Sequence, residues 1–177
     1  PLAPFLSRVG HAHDGEVSTR LGLSGIPVAA ETVALFTYLE LARATGARLH
    51  ITRLSSAAGL ALIDQARADG MDVTCDVSIN HVHLCDMDIG YFDPNCHLIP
   101  PLRSQRDREA LARGLAEGRI NALCSDHTPV DDDGKQTPFS ESEPGATGLE
   151  LLLPLTLKWA DRAGLSLLDG LARITSD

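Results

Sequence analysis

Residues 121–130, Asn-Ala-Leu-Cys-Ser-Asp-His-Thr-Pro-Val, decide how the rest of the chain is read. The apolar opening has the character of a short buried strand, and Asp126 and His127 stand at its end, ahead of a proline turn. A carboxylate closing an apolar strand costs free energy unless a cation or hydrogen bonds offset it, so Asp126 is a candidate site residue. Barrels of alternating strands and helices present their chemistry in this way, at the C-terminal ends of parallel strands.

Working outward, two more strands are expected, over 47–54 (ARLHITRL) and 71–79 (MDVTCDVSI), besides the one over 120–125. Between them the apolar periodicity predicts helices over 28–44, 57–69 and 105–117, each followed by a glycine. Ser55 or Ser56 is placed to cap the second helix and Ser104 the third. Residues 147–163 and 166–175 read as two closing helices, with Pro154 expected to kink the first. Residues 1–28, rich in Gly, Pro and Ser, read as loop. Strand–helix alternation makes this an α/β chain with a parallel sheet, and the long loops, 86–103 and 126–146, both follow strands. Three strands cannot close an eight-stranded barrel of ~250 residues. The expectation is a single partial barrel domain over 1–177, with the loop region 1–28 and βα units over 29–177. The missing strands then come from residues outside this sequence, or copies pair through the open sheet edges. The lack of an initiator Met fits a piece of a longer chain.

Composition narrows the function classes. The chain has 177 residues, a net charge of -9 and 44% hydrophobic residues. Such a balance argues for a folded protein and against nucleic acid or an anionic membrane surface as partner. No apolar run approaches the ~20 residues of a membrane span. The first twenty residues lack the basic-then-apolar order of a signal peptide. Cys75, Cys85, Cys96 and Cys124 form no CxxC pair, which suits reduced thiols in a cytoplasmic protein.

His11 and His13 form an HxH that on a strand would put two imidazoles on one face, but the flanking Gly10 and Gly15 and the lack of a strand pattern favour a solvated loop. His81 and His83 form a second HxH just past a predicted strand, readable as metal ligands or as hydrogen-bonded, partly buried histidines near the barrel mouth. Asp131, Asp132 and Asp133 lack the alternate spacing of a calcium loop and read as a solvated run.

Taken together, HDGEVSTRLGLSGIP (13–27), GARLHITRLSSAAGL (46–60), VTCDVSINHVHL (73–84), PPLRSQRDREALARGLAEG (100–118), SDHTP (125–129) and PFSESEPGATGLELLLPL (138–155) resemble dihydroorotase, of the amidohydrolase superfamily. The resemblance runs along nearly the whole chain and implies the second half, about strands 6–8 with their helices, of a metal-dependent-hydrolase (β/α)8 barrel. It implies two zinc ions at the strand ends, held in the family by an HxH on strand one, a carboxylated lysine or Asp on strand four, histidines on strands five and six, and an Asp on strand eight. The bridging water becomes hydroxide, and the strand-eight Asp moves its proton to the leaving amide nitrogen. By this resemblance Asp126 takes the place of that Asp, with Pro144 and Gly145 in the segment that contacts substrate.

The departures fall on the chemistry. The strand-six histidine is matched by Arg53, whose guanidinium offers a metal no lone pair but could pair with Asp126. His50 lies three residues earlier, on the other face of the strand. The substrate-contacting asparagine before PPLR is Ile99, and the second histidine of the strand-eight motif is Val130. His11 and His13 are not the strand-one motif, since they run straight into the GEVSTRLGL loop. This pattern resembles the pseudo-dihydroorotases, non-catalytic chains that assemble with aspartate carbamoyltransferase in pyrimidine biosynthesis. The resemblance therefore implies a homo-oligomeric scaffold with zinc absent or weakly bound. The alternative is an active zinc-dependent dihydroorotase, with His81 or His83 joining Asp126 as metal ligands and an N-terminal portion outside this sequence supplying the others.

Overall fold

A computed structural model describes residues 1–7 and 9–175. Its elements are α1 (Pro4–Ser7), β1 (Ala12–His13), α2 (Glu16–Leu21), β2 (Gly25–Ile26), α3 (Val28–Thr45), β3 (Leu49–Ile51), α4 (Ala57–Ala68), β4 (Val73–Ser78), α5 (Ile79–His83), α6 (Gln105–Ala116), β5 (Ala122–Cys124), α7 (Asp132–Lys135), α8 (Leu152–Ala163) and α9 (Leu167–Thr175).

The three expected strands form one parallel sheet in the order β3-β4-β5. Ile51 faces Cys75 across the first pair and Ser78 faces Cys124 across the second. Alternation along the strands sorts the side chains. Ile51, Val73, Cys75, Val77 and Leu123 pack into the main core with Leu35 and Leu39 of α3, Leu60 and Ile63 of α4, Leu111 and Leu115 of α6, and Trp159 of α8. The intervening residues His50, Thr74, Asp76 and Cys124 are linked by hydrogen bonds. A polar face therefore backs an apolar one, as in a barrel wall whose inner face serves chemistry. A second, smaller cluster, with Leu98, Leu102, Ile89 and Phe139, lies under the two long loops. Among the described residues no helix is long and apolar enough to cross a membrane. All four cysteines are free thiols.

Several boundaries differ from those expected. Residues 1–28 are not a plain loop, for β1 and β2 pair in parallel, with the Asp14 amide donating to the Ile26 carbonyl at 3.1 Å. Two-residue strands carry no readable period, which is why composition alone suggested loop. The strand expected over 47–54 stops at Ile51, because the chain turns out of the ladder at Arg53. Ile79–His83, expected as strand end and loop, is one helical turn capped by the Ser78 hydroxyl, which accepts from the Asn80 amide at 3.2 Å. The helix expected from residue 147 begins at Leu152, so Pro154 sits in its first turn, where a missing N–H breaks no helical bond. The acidic run opens α7 and is exposed, as expected for a solvated stretch.

What joins the helical layer to the strand ends is a buried carboxylate. Glu31, on α3, is fully buried. Its Oε1 accepts from the Ser55 amide at 2.6 Å and the Ser55 hydroxyl at 3.0 Å, and its Oε2 accepts from the Ser56 hydroxyl. The Ser56 oxygen in turn caps α4 by accepting from the Gly59 amide at 3.0 Å. Glycine at residue 59 leaves room for this approach, since a Cβ there would meet Glu31 Oε2 at 2.8 Å and Leu54 Cδ1 at 2.9 Å and would have to displace one of these buried side chains. Buried Arg103 completes the set, donating from Nε to the Ser55 hydroxyl at 3.2 Å and from Nη1 to the Ile26 carbonyl at 2.5 Å.

Glu31→Ala would leave the serine donors unpartnered and the Arg103 cation without its buried countercharge. A loss of about 3–5 kcal/mol in urea unfolding is expected, against about 1–2 kcal/mol for Glu31→Gln, which keeps one acceptor. Equal losses for the two variants would show that the charge is irrelevant.

Candidate functional site

The C-terminal ends of β3, β4 and β5 lie side by side, and each contributes a charged or titratable group. Past β3 comes Arg53, at φ 55°, and past β5 comes Asp126, at φ 49°. Both are non-glycine residues in the left-handed region, which costs roughly 1–2 kcal/mol apiece and turns each side chain out of the strand direction. Arg53 Nη1 donates to Asp126 Oδ1 at 3.1 Å and to the Ile99 carbonyl at 3.3 Å. The Asp126 side chain is 7% exposed and that of Arg53 42%. With the cation half in solvent, the pair contributes at most about 1 kcal/mol to stability. Its larger effect is to neutralise a carboxylate that would otherwise sit nearly buried and uncompensated.

Asp76, on β4, fixes the arginine. Its Oδ1 accepts from the Arg53 amide at 2.8 Å and from the Cys124 thiol at 3.3 Å, while its Oδ2 faces His50 Nε2 at 2.9 Å. Burial pushes the Asp76 carboxyl up, but the Arg53 amide, His50 and Cys124 outweigh it and hold the group below the ordinary carboxylate range. Asp76 went unread in the sequence, although a carboxylate inside an apolar strand signals the same need for partners as Asp126. His50, expected on the opposite face from Arg53, instead shares the polar face with Asp76 and is part of this support, because Arg53 leaves the strand alternation at φ 55°.

Arg53, Asp126, Ile99, Pro144 and Gly145 line one cleft of ≈ 250 Å³ together with Leu98 and Thr128. Val130 borders a different cleft, beside Asn95 and Lys135. The two long loops clasp over the strand ends. The Gly145 amide donates to the His97 carbonyl at 2.8 Å, and His97 Nδ1 meets the Ser142 hydroxyl at 2.9 Å. Lys135 Nζ donates to the Pro94 carbonyl at 2.8 Å and the Glu143 carbonyl at 2.7 Å. His127 Nδ1 accepts from the amides of Gly148 and Leu149 at 3.1 and 3.3 Å.

The two HxH pairs divide. His11 packs edge-on against His97, whereas His13, which the structure places on β1 rather than in a loop, has its Nδ1 3.3 Å from Arg103 Nη1. His81 and His83 point to different partners because they lie on a helical turn. His81 Nε2 meets the Pro101 carbonyl at 3.1 Å, with Nδ1 buried and unpartnered, and His83 Nε2 meets the Leu155 carbonyl at 3.0 Å. Zinc needs three or four converging lone pairs. Among the described residues no three His, Cys, Asp or Glu side chains converge in that way, and the partner of Asp126 is a guanidinium without a lone pair. Within the described residues, Asp126 is therefore met by a cation of the chain itself and by no second metal ligand.

No family model matches the chain. It is 43% identical over 170 residues to a dihydroorotase-like protein of Pseudomonas aeruginosa, covering 96% of this chain and 40% of that protein. A dihydroorotase-like protein of Pseudomonas putida is 41% identical, with 97% and 40% covered. The dihydroorotase of Geobacter sp. strain M21 is 40% identical, with 89% and 37% covered. The chain thus spans about 40% of the length of the curated relatives it matches. Among solved structures, the L-hydantoinase of Arthrobacter aurescens superposes with a TM-score of 0.78 at 30% identity, over 85% of this chain and 34% of that one. The dihydroorotase of Saccharomyces cerevisiae superposes at 0.72 and 15% identity, over 93% and 45%, a likeness of fold alone. The architecture is part of an amidohydrolase barrel.

Stability in urea is expected to fall as pH drops from about 6.5 to about 4. Burial holds His81 at about 4, and burial reinforced by His11 and Lys135 does the same for His97. Unfolded histidines take up protons near 6.5, so between the two values only the unfolded state binds them. Asp76 acts lower down. Its contribution is complete above ~3.9 and is lost as pH falls through its depressed folded value. His97→Gln should flatten the upper limb and Asp76→Asn the lower, and a flat urea midpoint from pH 6.5 to 4 would refute the assignment.

Proposed function

We propose that this dihydroorotase-family chain is part of a catalytically degenerate dihydroorotase of pyrimidine biosynthesis, serving as a non-catalytic, oligomeric subunit beside aspartate carbamoyltransferase in the cytoplasm. The observation that carries this reading is the ion pair between Arg53 and Asp126. By resemblance Asp126 is the residue that would move the proton and help hold metal, and here its charge is matched by a side chain of the protein itself. Ile99 and Val130 add no side-chain hydrogen-bonding group where the family has an asparagine and a histidine. The cleft beside Pro144 and Gly145 remains, but its one cation is engaged with Asp126 and the Ile99 carbonyl. A role in holding an assembly together asks nothing of that site. The partner rests on the family resemblance alone.

Relatives named simply dihydroorotase, at 38–40% identity, favour a second reading, an active zinc-dependent enzyme that hydrolyses the cyclic amide of dihydroorotate. That reading requires Arg53 to swing away from Asp126, either His81, whose Nδ1 is unpartnered, or His83 to turn towards a metal, and residues outside this sequence to supply the other ligands.

Metal content of protein purified without chelator, measured beside dihydroorotate hydrolysis, separates the two. The expectation is less than about a tenth of a zinc per chain, no turnover, and capture of aspartate carbamoyltransferase on the immobilised protein. One or two zincs per chain with turnover would replace the scaffold reading by the enzyme.

A further inference from the structure

Away from the strand ends, α5, α6 and α8 meet around a cleft of ≈ 400 Å³. Its walls carry Arg108 and Arg113 from α6 and Arg162 from α8, with His83 and Trp159 between them. Lys158 lies one turn before Arg162 on the same face of α8. Among the described residues the only ion-pair contact of these four cations is a loose one, from Arg108 Nη2 to the neighbouring Glu109 at 3.9 Å. In a chain of net charge -9, Arg108, Arg113 and Arg162 line the concavity against a single lining carboxylate, Glu109, with Lys158 beside them, and so concentrate positive potential there. His83 registers it. Burial lowers its pKa first, and Arg162, Lys158 and Arg108 lower it further.

We propose that this cleft is a binding site for a small organic phosphate carrying two or more phosphate charges. Arginine forks grip phosphate oxygens bidentately, and they approach here from two facing helices. Beside them Val82, Ala112 and Ala116 supply an apolar wall suited to the organic part of such a ligand. The volume is that of a small-molecule pocket rather than of a protein interface. Nothing in this site depends on the Arg53–Asp126 pair, so it stands or falls independently of the proposed function.

The test is isothermal titration of the protein at its natural length with inorganic pyrophosphate and, separately, with a nucleoside triphosphate, in ~0.15 M salt. Trp159, the one tryptophan of this sequence, supplies a fluorescence signal from within the cleft. Saturable binding with Kd below about 1 mM is expected, weakened about tenfold by Arg113→Gln and again by Arg162→Gln. Arg48→Gln, an exposed control whose side chain is 86% accessible, should change nothing. Equal affinity for the two probes would mean that phosphate alone is read, and tighter binding of the nucleotide that the apolar wall takes part. No saturable heat at about 10 mM of either probe would overturn the proposal. So would affinity unchanged in the doubly substituted protein, or binding of an Asp- and Glu-rich peptide with none of either phosphate.

Discussion

A carboxylate with no access to water must find donors, and Glu31 finds three in two consecutive serines. Leaving it unpaired would cost several kcal/mol, more than a third of what holds an ordinary domain together. That requirement fixes where Ser55 and Ser56 stand. They in turn fix where the chain leaves β3 and where α4 begins, because the Ser56 hydroxyl is also the cap of that helix. Gly59 allows the approach, and Arg103 ties Ser55 to the Ile26 carbonyl. One buried charge therefore sets the geometry of the segment from which Arg53 projects.

From there the order is carried sideways. Asp76 takes the Arg53 amide, Leu54 donates its amide to the Asp76 carbonyl at 3.0 Å, and Cys124 on the next strand closes on the same carboxylate. Three strand ends are thereby locked in one register, and Arg53 and Asp126 are held within reach of each other across 73 residues of sequence. The support is polar, on the face away from the main core. The apolar packing of Val73, Cys75 and Val77 secures the sheet without dictating what its mouth contains.

The parallel α/β arrangement was legible because three apolar runs alternate with three capped helical stripes. The meeting of Arg53 and Asp126, across the intervening β4, was legible only through the resemblance, which sets both at strand ends that share a site. What stayed hidden has common physical causes. Glu31 on a helix reads as a solvated residue until tertiary contacts bury it, and the pairing of β1 with β2 rests on main-chain bonds that leave no trace in side-chain periodicity. INHVH alternates like a strand, yet the Ser78 cap and the end of the ladder turn it into α5, which separates His81 from His83. Val130 was grouped with the site by motif, but α7 and Gly134 draw it towards another cleft.

Arg53 and Asp126 both hold a left-handed backbone, and at Arg53 the bond from its amide to Asp76 ties that conformation to the position rather than to the side chain occupying it. The two sites behave as sockets whose contents can be exchanged while the scaffold stays in place. A substitution at either socket alters the chemistry one side chain at a time, and the strain of the left-handed backbone stays with the position. Loss and recovery of a function at this barrel mouth are then separated by a few substitutions, with no intermediate that has to unfold.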